Sequence, residues 1–557
     1  MAQSKQPPVI WLLAAGVVQG LMFYWLYCSL DAKVWPATDP MWFTPLFTLT
    51  VFTPLLFQLS VSPVNVRTMV LPISVATLLI TMCASYVGYM IYEFGYRSGS
   101  ITFWFACSIV IAAFKAAMYI QQRANDEALR YPLLFTYSWR NFLTTALGIA
   151  FVGAVALILF LWSALFRVIG IGFFDELFWE PWFLIPVLSV AFGGAVSIFR
   201  KLEHVIDNIT HLLEGLIRIL LPLVSVLAIV FLVTLPVVGL APLWGTGNGT
   251  ALLLCLLALM LFFTNAVYQG GDRQDVYPAL IRWLICVGLL TLPFYAALSF
   301  YGLWLRVDEY GWTVERGWAL LVWLVLTIFA IGYAIGVIRK QLDWPVILAK
   351  TNIYMGWGVL ALMLAANSPI LDLRKISLSS QIDRSVESGK NWRDFDFHYA
   401  RRHLGRPAVE FVERLKADNT SDEELLALIE APQVTTQIDF DAELTYHGER
   451  FDVPEQVKQA FSERAYYSKG QQMVALRVDL NRDGAPDIVL LTHDNRFIHY
   501  TLVATYTDSD WQIYDMFPLD QSPENDIADV LSQPVSAETP DFDDLKFGDL
   551  TLRVSPR

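Results

Sequence analysis

Residues 479–487 read DLNRDGAPD. They place Asp479, Asn481, Asp483 and Asp487 at positions 1, 3, 5 and 9 of a calcium-loop pattern, with Gly484 at position 6. Oxygen ligands at alternate positions around a tight turn suit a hard cation such as Ca²⁺. Position 12 is Leu490 rather than Glu, and the flanks alternate like strands, so this is not a complete helix–loop–helix calcium site. Two readings follow. One is a weak structural Ca²⁺ site. The other is a hairpin turn in which Asp, Asn and Gly serve the backbone.

Two further constellations could do chemistry. His204, Asp207 and His211 are spaced three and four apart within 200–218, an amphipathic helical pattern, so they share one face. Imidazole and carboxylate on one face suit a transition metal or a proton relay. A solvated polar face would look the same. The second constellation is the stretch 304–317, with Arg306 and Arg316 beside Asp308, Glu309, Tyr310 and Trp312. Arginine reads phosphate bidentately, so these residues suit a lipid headgroup. Alternatively, they tie two span ends together and dock the tail. No phosphate-binding P-loop, HExxH, GxSxG or dinucleotide fingerprint is present.

The elements that must position these residues are mostly membrane spans. Of 557 residues, 55% are hydrophobic and only 16% charged. Stretches of about 20 apolar residues predict spans at 9–29, 41–61, 68–92, 101–121, 141–166, 181–199, 218–241, 249–269, 280–304, 317–338 and 350–367. The first has no small-x-small cleavage site after it and reads as an uncleaved span. With the N-terminus inside, about fourteen Lys and Arg lie on inner segments and five in outer loops, the positive-inside pattern. An odd span count then places the tail outside. Ionisable groups within the spans are scarce, with Lys115 toward the inner end of the fourth span; the neutral polar Asn265 and Gln269 lie near that of the eighth. This scarcity argues against a proton-coupled pump. The outer stretch 171–183, rich in aromatics, suits an interfacial belt or a short interfacial helix. The stretch 200–218 is expected to lie along the inner membrane surface or under the bundle.

From residue 368 onward the chain carries 35 acidic and 20 basic residues, so the net charge of −13 belongs to the tail. That balance argues against nucleic acid as a partner. All five cysteines fall in predicted spans, which excludes a disulfide framework or a cysteine-based zinc site in the tail. After a polar linker, 368–392, short helices are expected at 406–415, 421–430 (capping box Ser421 and Glu424) and 453–461. Alternating strands follow near 472–479, 486–492, 497–506, 511–517 and 549–555. The predicted fold is a membrane all-α bundle of about eleven transmembrane helices (1–367), followed by a small α+β extracytoplasmic domain (393–557) with an antiparallel β-meander.

The run LTLPFYAALSFYGLWLRVDEYGWTVERGWALL, residues 290–321, resembles a bacterial multi-pass membrane family known only as domain of unknown function 4153. Its recurring element is Arg306, Tyr310 with Gly311, and Thr313 with Arg316. FWEPWFLIPVLSVAFGGAVSIFRKLE and NSPILDLRKISLSSQIDR also fit that family. The resemblance implies a bacterial cytoplasmic membrane and supplies no reaction. Three functions remain in view. The first is an envelope protein whose bundle anchors an outward acidic domain that binds a protein partner, a ligand or Ca²⁺. The second is a transporter or lipid-handling protein with a cavity among its spans, membrane lipids being its partners. The third is a membrane enzyme acting on a lipid-linked substrate at the outer face. No catalytic residue is assigned.

Overall fold

Without water, an apolar run satisfies its own backbone polar groups only as a helix, and most of the chain does so. The computed structural model describes residues 9–61, 66–91, 99–124, 129–245, 248–268, 276–387, 392, 395–418, 425–426, 429, 440, 444–447, 450–464, 472–480, 484–493, 498–507, 510–515, 545–547 and 550–552. Two compact units result, Met1–Ser421 and Asp422–Arg557.

The first unit holds helices α1 (Val9–Asp31), α2 (Pro40–Ser60), α3 (Val66–Met90), α4 (Gly99–Ala124), α5 (Tyr131–Val168), α6 (Phe173–Trp179), α7 (Pro181–Lys201) and α8 (Glu203–Val238). It continues with α9 (Ala241–Gly245), α10 (Gly249–Tyr268), α11 (Ala279–Tyr310), α12 (Val314–Lys340), α13 (Pro345–Ala366), α14 (Leu373–Glu387), α15 (Phe397–His403) and α16 (Arg406–Asp418). Among the described residues, 11 helices are long and apolar enough to cross a membrane, and they coincide with the predicted spans. The aromatic stretch before α7 forms α6. The end of the bundle where α13 finishes and α14–α16 pack is termed the cap end, the opposite one the far end.

One predicted boundary moves. The amphipathic stretch 200–218 is no separate helix, because Glu203–Val238 is a single helix of 36 residues. Only Gly215 weakens the run before Pro222, and one glycine costs about 1 kcal/mol. The amphipathic segment therefore prolongs the next span at the far end.

Lipid tails are as apolar as leucine, so the spans gain little by hiding from them and rely on close fit. Gly16 and Gly20 give α1 a small face against α7. A Cβ on Gly16 would stand 2.8 Å from the Ser189 carbonyl oxygen, and one on Gly20 2.6 Å from Pro186 Cα. From α7, a Cβ on Gly193 would meet the Leu12 carbonyl oxygen at 2.7 Å. A second core joins α8, α10, α11, α12 and α13 around Leu221, Leu257, Met260, Leu289, Tyr295 and Tyr333. Inside it, Tyr333 Oη lies 2.7 Å from the side-chain oxygens of both Asn265 and Asn352. Tyr131 donates to Asn265 at 3.1 Å, and the Asn352 amide donates to the same oxygen. These polar groups satisfy one another across four helices. Gln269 lies outside the described residues.

The second unit has a five-stranded sheet in the order β1 (Leu444–Tyr446), β2 (Gln472–Val478), β3 (Asp487–His493), β4 (Ile498–Thr507), β5 (Asp510–Asp515). Strands β2 to β5 are successive antiparallel neighbours, as the alternation predicts. Strand β1 departs from the all-antiparallel expectation: it pairs parallel with β2, Leu444 opposite Met473. Parallel pairing needs a crossover, and α17 (Glu455–Arg464), which follows Pro454, lies in that connection. Val457 and Phe461 of α17 pack on Met473, Ala475, Leu490 and Leu502, the alternate residues of one sheet face. A separate pair, β6 (Leu545–Phe547) and β7 (Leu550–Leu552), is antiparallel. The Ser421–Glu424 capping box lies outside the described residues.

Replacing Gly20 by Leu forces α1 off α7 and is expected to cost about 1–3 kcal/mol, measured as a lower thermal midpoint in detergent. Gly153→Ala, where nothing stands within 4 Å of the new Cβ, is expected to leave the midpoint in place.

Candidate functional site

A dense polar architecture lies at the cap end, where the 290–321 block and the stretch after the last span meet. Helix α11 stops at Gly311, whose φ of +74° is open to glycine and strained for other residues. Thr313 caps α12, its side chain accepting from the Arg316 amide at 3.3 Å. Arg316 reaches back and donates to the Gly311 carbonyl at 2.6 Å. Gly311, Thr313 and Arg316 thus build a tight turn between two spans. Arg306 is exposed on α11. The Tyr310 side chain lies outside the described residues.

Helix α14 then reads the main chain of that turn. Ser380 accepts from the Trp312 amide at 3.1 Å, while Ser377 and Gln381 donate to the Trp312 carbonyl at 3.0 and 3.1 Å. Arg384 donates to the Asp308 carbonyl at 3.1 Å. Positions 377, 380, 381 and 384 form one helical face. A side chain at Gly311 would stand 2.9 Å from Arg384 Cδ, so glycine also gives α14 its approach. Residues 373–387 thus form a helix within the stretch expected as linker.

Three further contacts fasten this segment. Asp372 accepts from Tyr86 of α3 at 2.6 Å and from Arg374 Nε at 2.9 Å. Both side chains of the Asp372–Arg374 pair are buried, 2% and 8% exposed. Tyr399 of α15 accepts from the Val314 amide at 2.9 Å, and burial pushes its phenol above the ordinary value. Arg406 donates to the Tyr89 carbonyl at 2.7 Å, with its guanidinium 4.5 Å from the centre of the Tyr89 ring. An open groove of about 640 Å³ runs beside α14, with Trp304 and Trp312 next to Lys375, Arg384, Asp308 and Asp383.

The other predicted residues are held differently. Asp207 accepts from Nε and Nη2 of Arg140 at 3.2 and 3.0 Å, and Glu203 lies 3.2 Å from Nη1 of the same arginine. His211 lies 3.5 Å from Glu214. Among the described residues, no three of His, Cys, Asp and Glu are grouped to hold a metal, so His204, Asp207 and His211 are not brought into such a group. In the calcium-loop segment, Asp479 accepts from the Gly484 amide at 3.1 Å and Asp487 from the Leu480 amide at 2.8 Å. Gly484 has φ +88°. Asp479 Oδ1 is buried without a hydrogen-bond partner among the described residues. Asn481 and Asp483 lie outside them.

Sequence reasoning did not find Asp372, Arg374, Ser377, Ser380 or Gln381 as cap residues. A signal was available in SLSSQIDR, whose polar residues recur at helical spacing. Asp372→Asn leaves a buried arginine unpaired, which is expected to cost about 3–5 kcal/mol. Gly311→Ala strains the turn by about 1–3 kcal/mol. Faster hydrogen exchange in α14 than in α10 would register both losses.

The sequence model of a family described as Domain of unknown function (DUF4153) matches residues 59–415. The match runs from the end of α2 into α16, so it takes in the cap and leaves out the sheet unit. Neither a curated protein nor a solved structure matches the chain. With eleven candidate spans and most of its length matched, the chain is a multi-pass membrane protein that belongs to the DUF4153 family.

Proposed function

We propose that this protein is an envelope protein with a non-catalytic role, in which the bundle anchors an acidic outward domain that binds a protein partner. The observation that carries the reading is the cap. The chain leaves the last span into helices whose polar side chains are spent on the turn and span ends, at Trp312, Val314 and Tyr89. Groups used in this way hold a segment in place and do not face a substrate. The polar network of Tyr131, Asn265, Tyr333 and Asn352 is likewise closed on itself, which favours an anchor over a transport path.

The excess of Lys and Arg at the far end supports placing the cap end and the tail outside the cytoplasm. The location fitting that reading is the bacterial cytoplasmic membrane. In spheroplasts, a membrane-impermeant maleimide is expected to label a Tyr514→Cys variant well above the wild-type chain. A Leu212→Cys variant is expected to be labelled only after permeabilisation; the reverse order defeats the orientation. A photo-crosslinking residue at exposed Tyr506 is expected to capture one discrete protein in cells. No adduct there, with loss of cell function on Lys375→Ala, would favour a second reading. The groove beside α14 supports it: Lys375, which lines it, would take the headgroup of a lipid-linked substrate.

Within the sheet unit, the 479–487 turn is proposed as a weak Ca²⁺ site with a structural role. The buried Oδ1 of Asp479, without a hydrogen-bond partner among the described residues, supports this. Ca²⁺ at 100 times its dissociation constant would stabilise the unit by about 2.7 kcal/mol. It is then expected to slow hydrogen exchange in β2 and β3 of the wild-type chain and to leave Asp479→Ala unchanged. Equal exchange with Ca²⁺ and with chelator in both proteins leaves a plain turn.

A further inference from the structure

An apolar groove of about 730 Å³ runs between α3, α4 and α13. Leu71, Val75 and Leu79 form one wall, and Ala112 and Ala116 line the side given by α4. The small alanines, one helical turn apart, give the groove its depth. On the α13 side, Trp357 stacks on Tyr119, with ring centres 4.1 Å apart. Tyr119 also donates to the Ile353 carbonyl at 3.2 Å, and a Cβ on Gly356 would overlap its hydroxyl. The aromatic side of the groove is therefore fixed by packing and not by an occupant.

The groove changes character at the far end. There Thr68, Gln122 and Arg123 join Leu129 in the lining. Arg123 is exposed and has no hydrogen bond or ion pair among the described residues. From Thr68 to Ile80 the α3 lining extends about 18 Å, close to the half-thickness of a hydrocarbon core about 30 Å across. A volume of 730 Å³ falls in the usual range for ligand sites.

We propose that this groove holds one acyl chain of an anionic phospholipid, with the headgroup phosphate on Arg123. The apolar lining cannot select this lipid, because the surrounding tails are equally apolar. Shape admits the chain, and charge at the mouth discriminates. A guanidinium takes a phosphate bidentately, and one basic residue near an anionic headgroup contributes about a fivefold preference. The site lies away from the cap and is independent of which face of the membrane is outside.

The test uses the full-length chain, delipidated in detergent and titrated with phosphatidylglycerol or phosphatidylcholine, with bound lipid counted by native mass spectrometry. The wild-type chain is expected to prefer phosphatidylglycerol about fivefold. Arg123→Gln is expected to bind both lipids equally, and Val75→Trp, which fills the groove from a half-exposed position, to lose both. Inorganic phosphate alone is expected not to displace the lipid, which separates a lipid site from a free-phosphate site. A preference that survives Arg123→Gln, or occupancy that survives Val75→Trp, overturns the proposal. Val75 faces the groove and not the core, so that variant decides the matter even where Arg123→Gln does not fold.

Discussion

The main chain of residues 308–312 ends one span and starts towards the next, and its amide and carbonyl groups must find partners. Helix ends leave such groups free, and the turn pairs only part of them internally, the Gly311 amide with the Val307 carbonyl and the Gly311 carbonyl with Arg316. The protein solves this with one polar helical face, Ser377, Ser380, Gln381 and Arg384, set against the turn. The Asp372–Arg374 pair with Tyr86, Tyr399 on Val314, and Arg406 on Tyr89 bring further span ends into the same assembly. The far end follows the same rule with different residues. Arg200 donates to the carbonyls of Gln58 and Val61 where α2 stops, at 2.6 and 2.7 Å. Arg140 holds the extension of α8 through Asp207 and Glu203.

Between these ends the bundle relies on fit. Glycines at 16, 20 and 193 bring α1 and α7 into backbone contact. The Asn265–Asn352–Tyr333 cluster joins three spans with hydrogen bonds, each contributing well under 2 kcal/mol in a membrane setting. At α3, α4 and α13 the small side chains of Ala76, Ala112 and Ala116 leave an apolar gap between the helices.

Much of this was legible in the residues. Span positions followed from apolar length, and β2 to β5 from short apolar runs whose alternate residues pack into two clusters, one on each face of the sheet. The motif 306–316 was visible, but its purpose was not. Arg306, Tyr310 and Arg316 suggest a headgroup site as readily as a tie between two span ends, because arginine serves both. The α14 face went unread because its partners are backbone groups some 65 to 76 residues away, which carry no side-chain signature. The α8 boundary moved because periodicity reports a face and does not report whether a helix continues. Strand β1 was missed because three residues show too little alternation to register.

Local composition and spacing by themselves determined the eleven apolar spans, the concentration of acidic charge in the tail and the antiparallel core of the sheet. Each depends on a property that neighbouring residues carry together: length, charge or alternation. Only the tertiary structure decided that α14 clamps the 308–312 turn, that Asp207 belongs to Arg140, and that Arg123 stands at the mouth of an apolar groove. These depend on which helix ends and side chains meet at distances of about 3 to 4 Å, a matter of packing between segments remote in sequence.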